Sequence, residues 1–218
     1  MGRPITLLEL RTRALQAADM STLAALNYLP LTEQNQRIND YHAELRDLCV
    51  LAYQDLFVSS VTIDVASGTR EYQLPADFYK YRHAFYTNGP RDKRLDAAIR
   101  IMGNSLIMPM YFRPGTISVT YIPQCPFLED DTDTIDANIP AGWEVYIAYG
   151  VAKTLREKAA LDASGVTGDF NRTLARIKET ATPRQASGRR RSKDVRGCSR
   201  TRPHAGLGMD TYDDWEDY

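Results

Sequence analysis

The residues best suited to chemistry in this chain lie near its C-terminal end, where basic and acidic side chains form two separate blocks. Residues 184–202 hold a dense basic block with a single acid, Asp194. Its members are Arg184, Arg189, Arg190, Arg191, Lys193, Arg196, Arg200 and Arg202. Guanidinium groups form paired hydrogen bonds with carboxylates and phosphates, so this block is typical of a segment that binds an acidic macromolecule.

The final residues of the chain carry the opposite charge together with aromatic side chains. The acids of this stretch are Asp210, Asp213, Asp214, Glu216 and Asp217, and no base lies among them. Its aromatic residues are Tyr212, Trp215 and Tyr218. Such a segment buries too little apolar surface to offset the ~1–2 kcal/mol per residue that ordering its backbone costs. Residues 183–218 are therefore predicted to form an extended interaction arm that a partner orders.

No arrangement of residues typical of catalysis is found in the sequence. The histidines, His42, His83 and His204, are far apart, and none lies in an H-E-x-x-H pattern or in the full H-x-E…P-C-x-x-C signature. The sequence has no Gly-x-Ser-x-Gly elbow, no Walker loop and no G-x-G-x-x-G after a predicted strand. We therefore expect a protein that is not an enzyme and needs no cofactor, in which His42 and His83 are structural.

The acidic segment 129–136 has the composition of a calcium loop without its spacing. Calcium binds several carboxylate oxygens, and this segment offers Glu129, Asp130, Asp131, Asp133 and Asp136. It lacks the glycine at the sixth loop position and the bidentate glutamate at the twelfth. A solvated loop is favoured over a metal site, and the cation alternative stays open.

The composition is typical of a globular protein with one main core. The chain has 218 residues, 43% of them hydrophobic and 25% charged, with a net charge of -1. The three cysteines, Cys49, Cys125 and Cys198, are widely spaced and form no C-x-x-C pair, which predicts free thiols in a reducing compartment. No apolar run approaches the ~18 residues of a membrane span, so we expect a soluble protein made in a cytoplasm.

The spacing of apolar residues predicts four helices. Thr6 and Glu9 have the spacing of a capping box, which begins a first helix with Leu7, Leu10 and Ala14 on one face. A loop is expected to follow the first helix, and Ser164-Gly165 is expected to break the last two helices apart. The remaining helices are predicted at 32–56, 141–161 and 167–180.

Between the second and third helices the apolar period changes to two, which predicts antiparallel strands. Residues 57–65 and 69–74 are predicted to form a hairpin around Ala66-Ser67-Gly68, and Asn88-Gly89 and Gly103-Asn104 are predicted turns. Further strands are predicted at 78–87, 99–102, 105–108 and 116–121. The expected fold class is α+β: a bundle of about four helices with an inserted small antiparallel β-domain and an extended C-terminal tail. The corresponding domains are 1–56, 57–138, 139–182 and 183–218.

Four segments taken together carry a family resemblance. They are LLELR at 7–11, INDYHAEL at 38–45, GTREYQLPADF at 68–78, and DTD at 131–133 followed by IPAGWE at 139–144. In this order the sequence resembles the head-to-tail adaptor (connector) proteins of tailed bacteriophages over about residues 5–181. The resemblance implies a virion protein at the head-tail junction, a homo-oligomeric ring, usually of twelve copies, beneath the portal, DNA passing through the lumen, and no catalysis.

A ring subunit needs more apolar surface than its own core uses, because it must contact two neighbours. The predicted subunit interface on the third helix comprises Trp143, Tyr146, Ile147 and Tyr149. The residues of the β-domain predicted to face the tail or nozzle protein, or a neighbouring subunit, are Tyr79, Tyr81, Phe85 and Tyr86.

The arm is predicted to dock to the portal protein. Its arginines are expected to meet portal acids, and Tyr212, Trp215 and Tyr218 to fill apolar pockets. The alternative is a DNA-binding protein whose segment 188–193 contacts phosphates. The acidic end favours the protein partner, because its carboxylates compete with phosphates for the same arginines. No membrane partner is expected.

Overall fold

The computed structural model describes residues 5–86, 93–95, 99–109 and 112–181. Within this part the fold is α+β, with five helices and two small antiparallel sheets. The helices are α1 (Leu7–Ala18), α2 (Thr22–Tyr28), α3 (Leu31–Ala52), α4 (Val145–Lys158) and α5 (Ser164–Thr180), with a 3₁₀ turn at Gln54–Leu56. The strands are β1 (Ser59–Val65), β2 (Glu71–Gln73), β3 (Phe78–Tyr86), β4 (Lys93–Arg94), β5 (Arg100–Met102), β6 (Ser105–Ile107) and β7 (Gly115–Pro123).

Capping residues set both ends of helix α1. The Thr6 hydroxyl accepts a hydrogen bond from the Glu9 backbone N–H (3.2 Å), so the predicted N-cap is confirmed. Leu7, Leu10 and Ala14 lie buried on one face. Asp19 ends the helix in the left-handed conformation, with a φ of 54°.

The loop predicted after α1 contains a fifth helix. The Ser21 hydroxyl accepts from the Ala24 N–H (3.3 Å) and caps α2, a local signal that the sequence prediction missed. The predicted break at Ser164-Gly165 is also wrong, because α5 begins at Ser164. The break lies earlier, where Ala160 has a φ of 53° and the Asp162 carboxylate accepts the Ser164 N–H (2.9 Å).

The strands pair with partners farther along the sequence than predicted. The sheet orders are β1-β7-β3-β4 and β2-β6-β5. The predicted hairpin of β1 and β2 is wrong, because these strands belong to different sheets and pair with β7 and β6. The Tyr72 hydroxyl closes the turn between them by accepting the Ala66 N–H (2.9 Å), without a strand ladder. The turn at Gly103-Asn104 joins β5 to β6 as predicted, and Asn88-Gly89 lies outside the described residues.

Two hydrophobic clusters hold the described residues together. One lies among the helices and includes Leu10, Ile38 and Leu45, and the other lies in the β region around Leu106 and Val119. The helical cluster also contains residues of the predicted β-domain, namely Phe57, Ile122, Leu128 and Ile135. The segment that leaves β7 therefore packs on the helices, and the domain boundaries proposed from the sequence stay predictions. None of the described helices has the length and hydropathy that crossing a membrane requires.

Candidate interaction surfaces

The segment 123–139, which we call the strap, connects β7 to α4 and runs along α1 and α3. The Leu7 N–H donates to the Asp133 carbonyl (2.9 Å), and the Ile135 N–H donates to the Ile5 carbonyl (3.1 Å). Thr6 and Thr134 form an isolated antiparallel bridge between the same two segments. The strap therefore fastens the chain that leaves the sheet to the N-terminal end of α1.

The acidic side chains of the strap are engaged in folding contacts. The Asp133 carboxylate accepts the backbone N–H groups of Glu129 (2.8 Å) and Asp130 (2.9 Å), which lower the pKa of Asp133. Asp131 pairs with Arg11. No group of three or more potential metal ligands of the His, Cys, Asp or Glu type is found among the described residues. These contacts favour the loop interpretation of 129–136 over a calcium site.

Helix α3 holds the strap through buried polar side chains. Asn39 binds the backbone of Leu128 twice, accepting its N–H (2.8 Å) and donating to its carbonyl (3.0 Å). Arg46 donates through Nε to the Asp136 carboxylate (3.1 Å) and through Nη1 to the Pro123 carbonyl (2.8 Å). Every one of these contacts joins positions far apart in the chain, so the strap and α3 stabilise each other only in the folded state.

His42 completes this contact as a neutral side chain. It is fully buried, and its Nε2 accepts the Asp136 N–H (3.4 Å), which leaves the ring proton on Nδ1, 3.5 Å from Cys125 Sγ. Burial lowers the pKa of His42 to about 4. Burial also raises the pKa of Cys125 to about 11, so its thiol stays protonated at neutral pH. The predicted structural role of His42 agrees with these contacts, and the cluster has no activated nucleophile.

A first apolar surface lies on and beside α2. This α2 patch consists of exposed Leu23, Leu26, Tyr28 and Leu31. Leu23 keeps 80% of its surface exposed, and residues 21–30 include no charged side chain. Large apolar side chains that lie together on a surface mark a contact site, and the centres of protein interfaces are depleted of charge. The sequence prediction assigned no role to these residues.

A second apolar surface lies where α3 ends and β1 begins. This α3-end patch consists of exposed Leu51, Leu56, Val58 and Tyr79. The Tyr79 hydroxyl donates to the Asp47 carboxylate (3.3 Å), which places the ring one turn from Leu51 along α3. Leu31 of the first patch and Leu51 of the second both lie on α3, so about 30 Å of helix separates them. The chain therefore has two different apolar surfaces near opposite ends of α3.

The residues predicted for a subunit interface on the third predicted helix are mainly buried within this chain. Trp143, Tyr146 and Ile147 are buried, and the Tyr146 ring stacks on Phe170 with centroids 4.8 Å apart. Tyr149 is half-buried and lines a surface cleft of about 360 Å³ between α4 and α5. The cleft is lined by Gly142, Val145, Tyr149, Asp169, Arg172, Thr173 and Arg176.

The residues predicted to face the tail all lie on β3, with unequal exposure. Tyr79 is exposed and belongs to the α3-end patch, whereas Tyr81, Phe85 and Tyr86 are half-buried. The Tyr86 hydroxyl donates to the Pro114 carbonyl (3.0 Å), and its ring contacts Phe112 edge-on at 5.2 Å. The residues predicted to form the docking arm, from Arg184 to Tyr218, lie outside the described residues.

Among the described residues, buried polar side chains brace the fold and two sets of large apolar side chains remain exposed, as expected of a protein that binds other macromolecules. The chain matches the model of the SU10 adaptor protein family over residues 5–193. It therefore belongs to the SU10 adaptor family, which agrees with the resemblance to phage head-to-tail adaptors and implies a structural, non-enzymatic virion protein. No match was found among the curated proteins.

Proposed function

We propose that this chain is the subunit of a ring that joins the capsid portal to the tail at the head-tail junction and leaves a channel for DNA. The family match carries the proposal, and two separate apolar patches on one subunit support it. A ring of identical copies needs two different, mutually complementary surfaces on each copy, because its contacts are head-to-tail. Twelve copies are the number that the family resemblance favours.

The α2 patch and the α3-end patch are the surfaces we assign to this head-to-tail contact. Each presents several large apolar side chains to solvent in the single chain. Of the residues predicted for an interface on the third predicted helix, Trp143, Tyr146 and Ile147 are buried and support the fold from within, so the two exposed patches carry the proposed contact. The remaining tail-facing surface is the β3 face with Tyr81, Phe85 and Tyr86.

Substituting either patch with arginine is expected to stop assembly. Every head-to-tail contact needs the α2 patch of one copy and the α3-end patch of the next, so Leu23→Arg alone and Leu56→Arg alone each yield single subunits. An equal mixture of the two variants is expected to yield dimers and nothing larger, because each pair keeps one intact contact. Light scattering on chromatographic fractions measures these masses.

Met102→Arg provides the matched control, since Met102 is exposed at the β5–β6 turn and lies in neither patch. This variant is expected to form the same oligomer as the unmodified chain. If Leu23→Arg and Leu56→Arg still assemble fully, the ring contact lies elsewhere on the subunit. Dimers formed by one variant alone would indicate a patch that pairs with itself.

The arm is proposed to fasten the ring to the portal. Its basic block suits an acidic portal surface, and Tyr212, Trp215 and Tyr218 suit apolar pockets. Ordering ~20 residues costs on the order of 20–40 kcal/mol of backbone entropy, so the partner must offer many contacts. Once one arm of the ring is bound, the other arms bind at high effective concentration. Many arms that each bind weakly can therefore hold the ring on the portal for a long time.

Removal of the arm is expected to abolish portal binding and to leave the ring intact. A chain that ends at Ala181 and a full chain with Arg189, Arg190 and Arg191 changed to glutamate would both fail to retain the portal protein in a pull-down. Undiminished retention by both would overturn the docking role. A gel shift of DNA by the unmodified chain at low salt, lost in the glutamate variant, would instead support the DNA-binding alternative.

A further inference from the structure

The cleft between α4 and α5 has basic side chains at its rim and an aromatic wall. Arg172 and Arg176 project from α5, and Tyr149 contributes the wall from α4. The Arg172 side chain is 83% exposed, and its partner Asp169, three residues earlier, lies 3.3 Å away. Ion pairs of this exposed type contribute little free energy, so the Arg172 guanidinium is available to a further carboxylate.

Other cations extend the same basic surface. Arg176 donates one hydrogen bond, to the Gly142 carbonyl (3.1 Å), and a guanidinium has five N–H donors. Lys153 lies one turn after Tyr149 on α4, with Nζ 5.7 Å from the centre of the Phe170 ring. The cleft therefore suits a ligand that combines carboxylates with an aromatic ring.

The chain has such a segment beyond the last described residue, Ala181. Asp210–Tyr218 holds five acids, no base, and the rings of Tyr212, Trp215 and Tyr218. A cleft of about 360 Å³ accepts an aromatic side chain, which would lie against Tyr149 while flanking carboxylates meet the arginines. The basic block at 184–202 lacks this chemistry, since like charges repel.

Chain length permits the segment to return to its own subunit. Arg172 lies nine residues before Ala181, about 14 Å along α5. Residues 182–209 separate Ala181 from Asp210, and a stretch of that length can span at most roughly 90–100 Å, which exceeds the distance back to the cleft. Because the segment belongs to the same chain, its effective concentration at the cleft exceeds that of a free peptide.

We propose that the acidic segment Asp210–Tyr218 docks into the cleft between α4 and α5 of its own chain. The contact latches the end of the arm to the subunit until a partner that binds the arm more tightly displaces it. It requires neither the portal nor the ring.

Fluorescence of Trp215 in the full chain tests this latch. The chain has two tryptophans, so the spectrum of the unmodified protein minus that of Trp215→Phe isolates Trp215. At low salt we expect Trp215 to be blue-shifted and protected from acrylamide quenching. Arg172→Glu, and separately the double change Asp213→Lys with Asp214→Lys, are expected to abolish the protection.

Lys178→Glu is the matched control, because Lys178 is exposed on the same helix, has the same charge and does not line the cleft. It is expected to keep most of the protection. An unprotected Trp215 in the unmodified chain, or protection that survives Arg172→Glu, overturns the proposal. Protection confined to oligomeric fractions, with none in single chains, also overturns it, by assigning the segment to a second copy.

Discussion

Replacing Arg46 with leucine is expected to lower the free energy of unfolding by about 3–5 kcal/mol. The Arg46 side chain is 3% exposed and its partner Asp136 is 16% exposed, so water cannot replace the lost interaction. The substitution leaves the Asp136 carboxylate without its cation and the Pro123 carbonyl without its donor. Loss of one member of a buried pair costs more than the pair itself contributes, because an uncompensated charge remains.

Urea unfolding followed by helical circular dichroism measures this effect. The expected result is a lower midpoint with an unchanged slope, because the variant exposes the same surface on unfolding. Arg82→Leu is the matched control, since its partner Asp55 is 94% exposed and the loss there is expected to stay within about 1 kcal/mol. Equal losses in the two variants would contradict the proposed clamp between α3 and the strap.

A second change distinguishes the charge of Asp136 from the packing of Arg46. Asp136→Asn removes the charge and keeps an oxygen that can accept the Asn138 N–H, as Asp136 does at 3.0 Å. In the background of Arg46→Leu this change is expected to restore part of the lost stability. No recovery would assign the loss to packing against Phe57, whose ring centre lies 5.5 Å from the guanidinium.

Acidification from pH 6.5 to pH 4 is expected to destabilise the protein by about 3 kcal/mol through His42 alone. Burial lowers the pKa of His42 in the folded protein to about 4, from 6.5 in the unfolded chain, despite the opposing charge of Asp136. Between these values the unfolded chain binds the proton and the folded protein does not, so stability falls as the pH falls. Well below pH 4 both states are protonated, and this contribution reaches a plateau.

The comparison of unmodified protein with His42→Gln isolates this effect, because the variant lacks the imidazole and keeps a neutral side chain at every pH. The variant is expected to be less stable at pH 7 and to lose less stability on acidification. His83→Gln should follow the unmodified protein, since His83 is only half-buried on β3, where its ring lies 5.0 Å from that of Phe85. Parallel pH profiles for the unmodified protein and His42→Gln would exclude His42 as the acid-sensitive group.

Signals contained within a few residues were predicted correctly, because neighbouring residues alone decide them. The Thr6 cap of α1 and the turn at Gly103-Asn104 are of this kind, since each depends on hydrogen bonds or φ values within one turn. The Ser21 cap of α2 is a local signal of the same kind. It was missed because this stretch, which contains Pro30, was predicted to be a loop.

Contacts between residues far apart in the sequence could not be predicted. Strand β1 pairs with β7 and not with the nearby β2, and the two sheets share one apolar cluster that includes Val65, Leu106 and Val119. Arg46 and Asp136 are 90 positions apart, and nothing in either neighbourhood marks the other as its partner. The apolar richness around α4 predicted an interface, and the structure shows that Trp143, Tyr146 and Ile147 are buried within the single chain.

From its sequence alone, this chain is identifiable as an α+β member of an adaptor family with an oppositely charged, aromatic arm and no catalytic motif. Composition, periodicity and segment order carry that information, since each is a property of the linear chain. Tertiary structure decided which carboxylates brace α3, which aromatic residues are buried, and that two apolar patches and a basic cleft face outward. These are properties of a surface, and a surface exists only once residues distant in sequence have packed together.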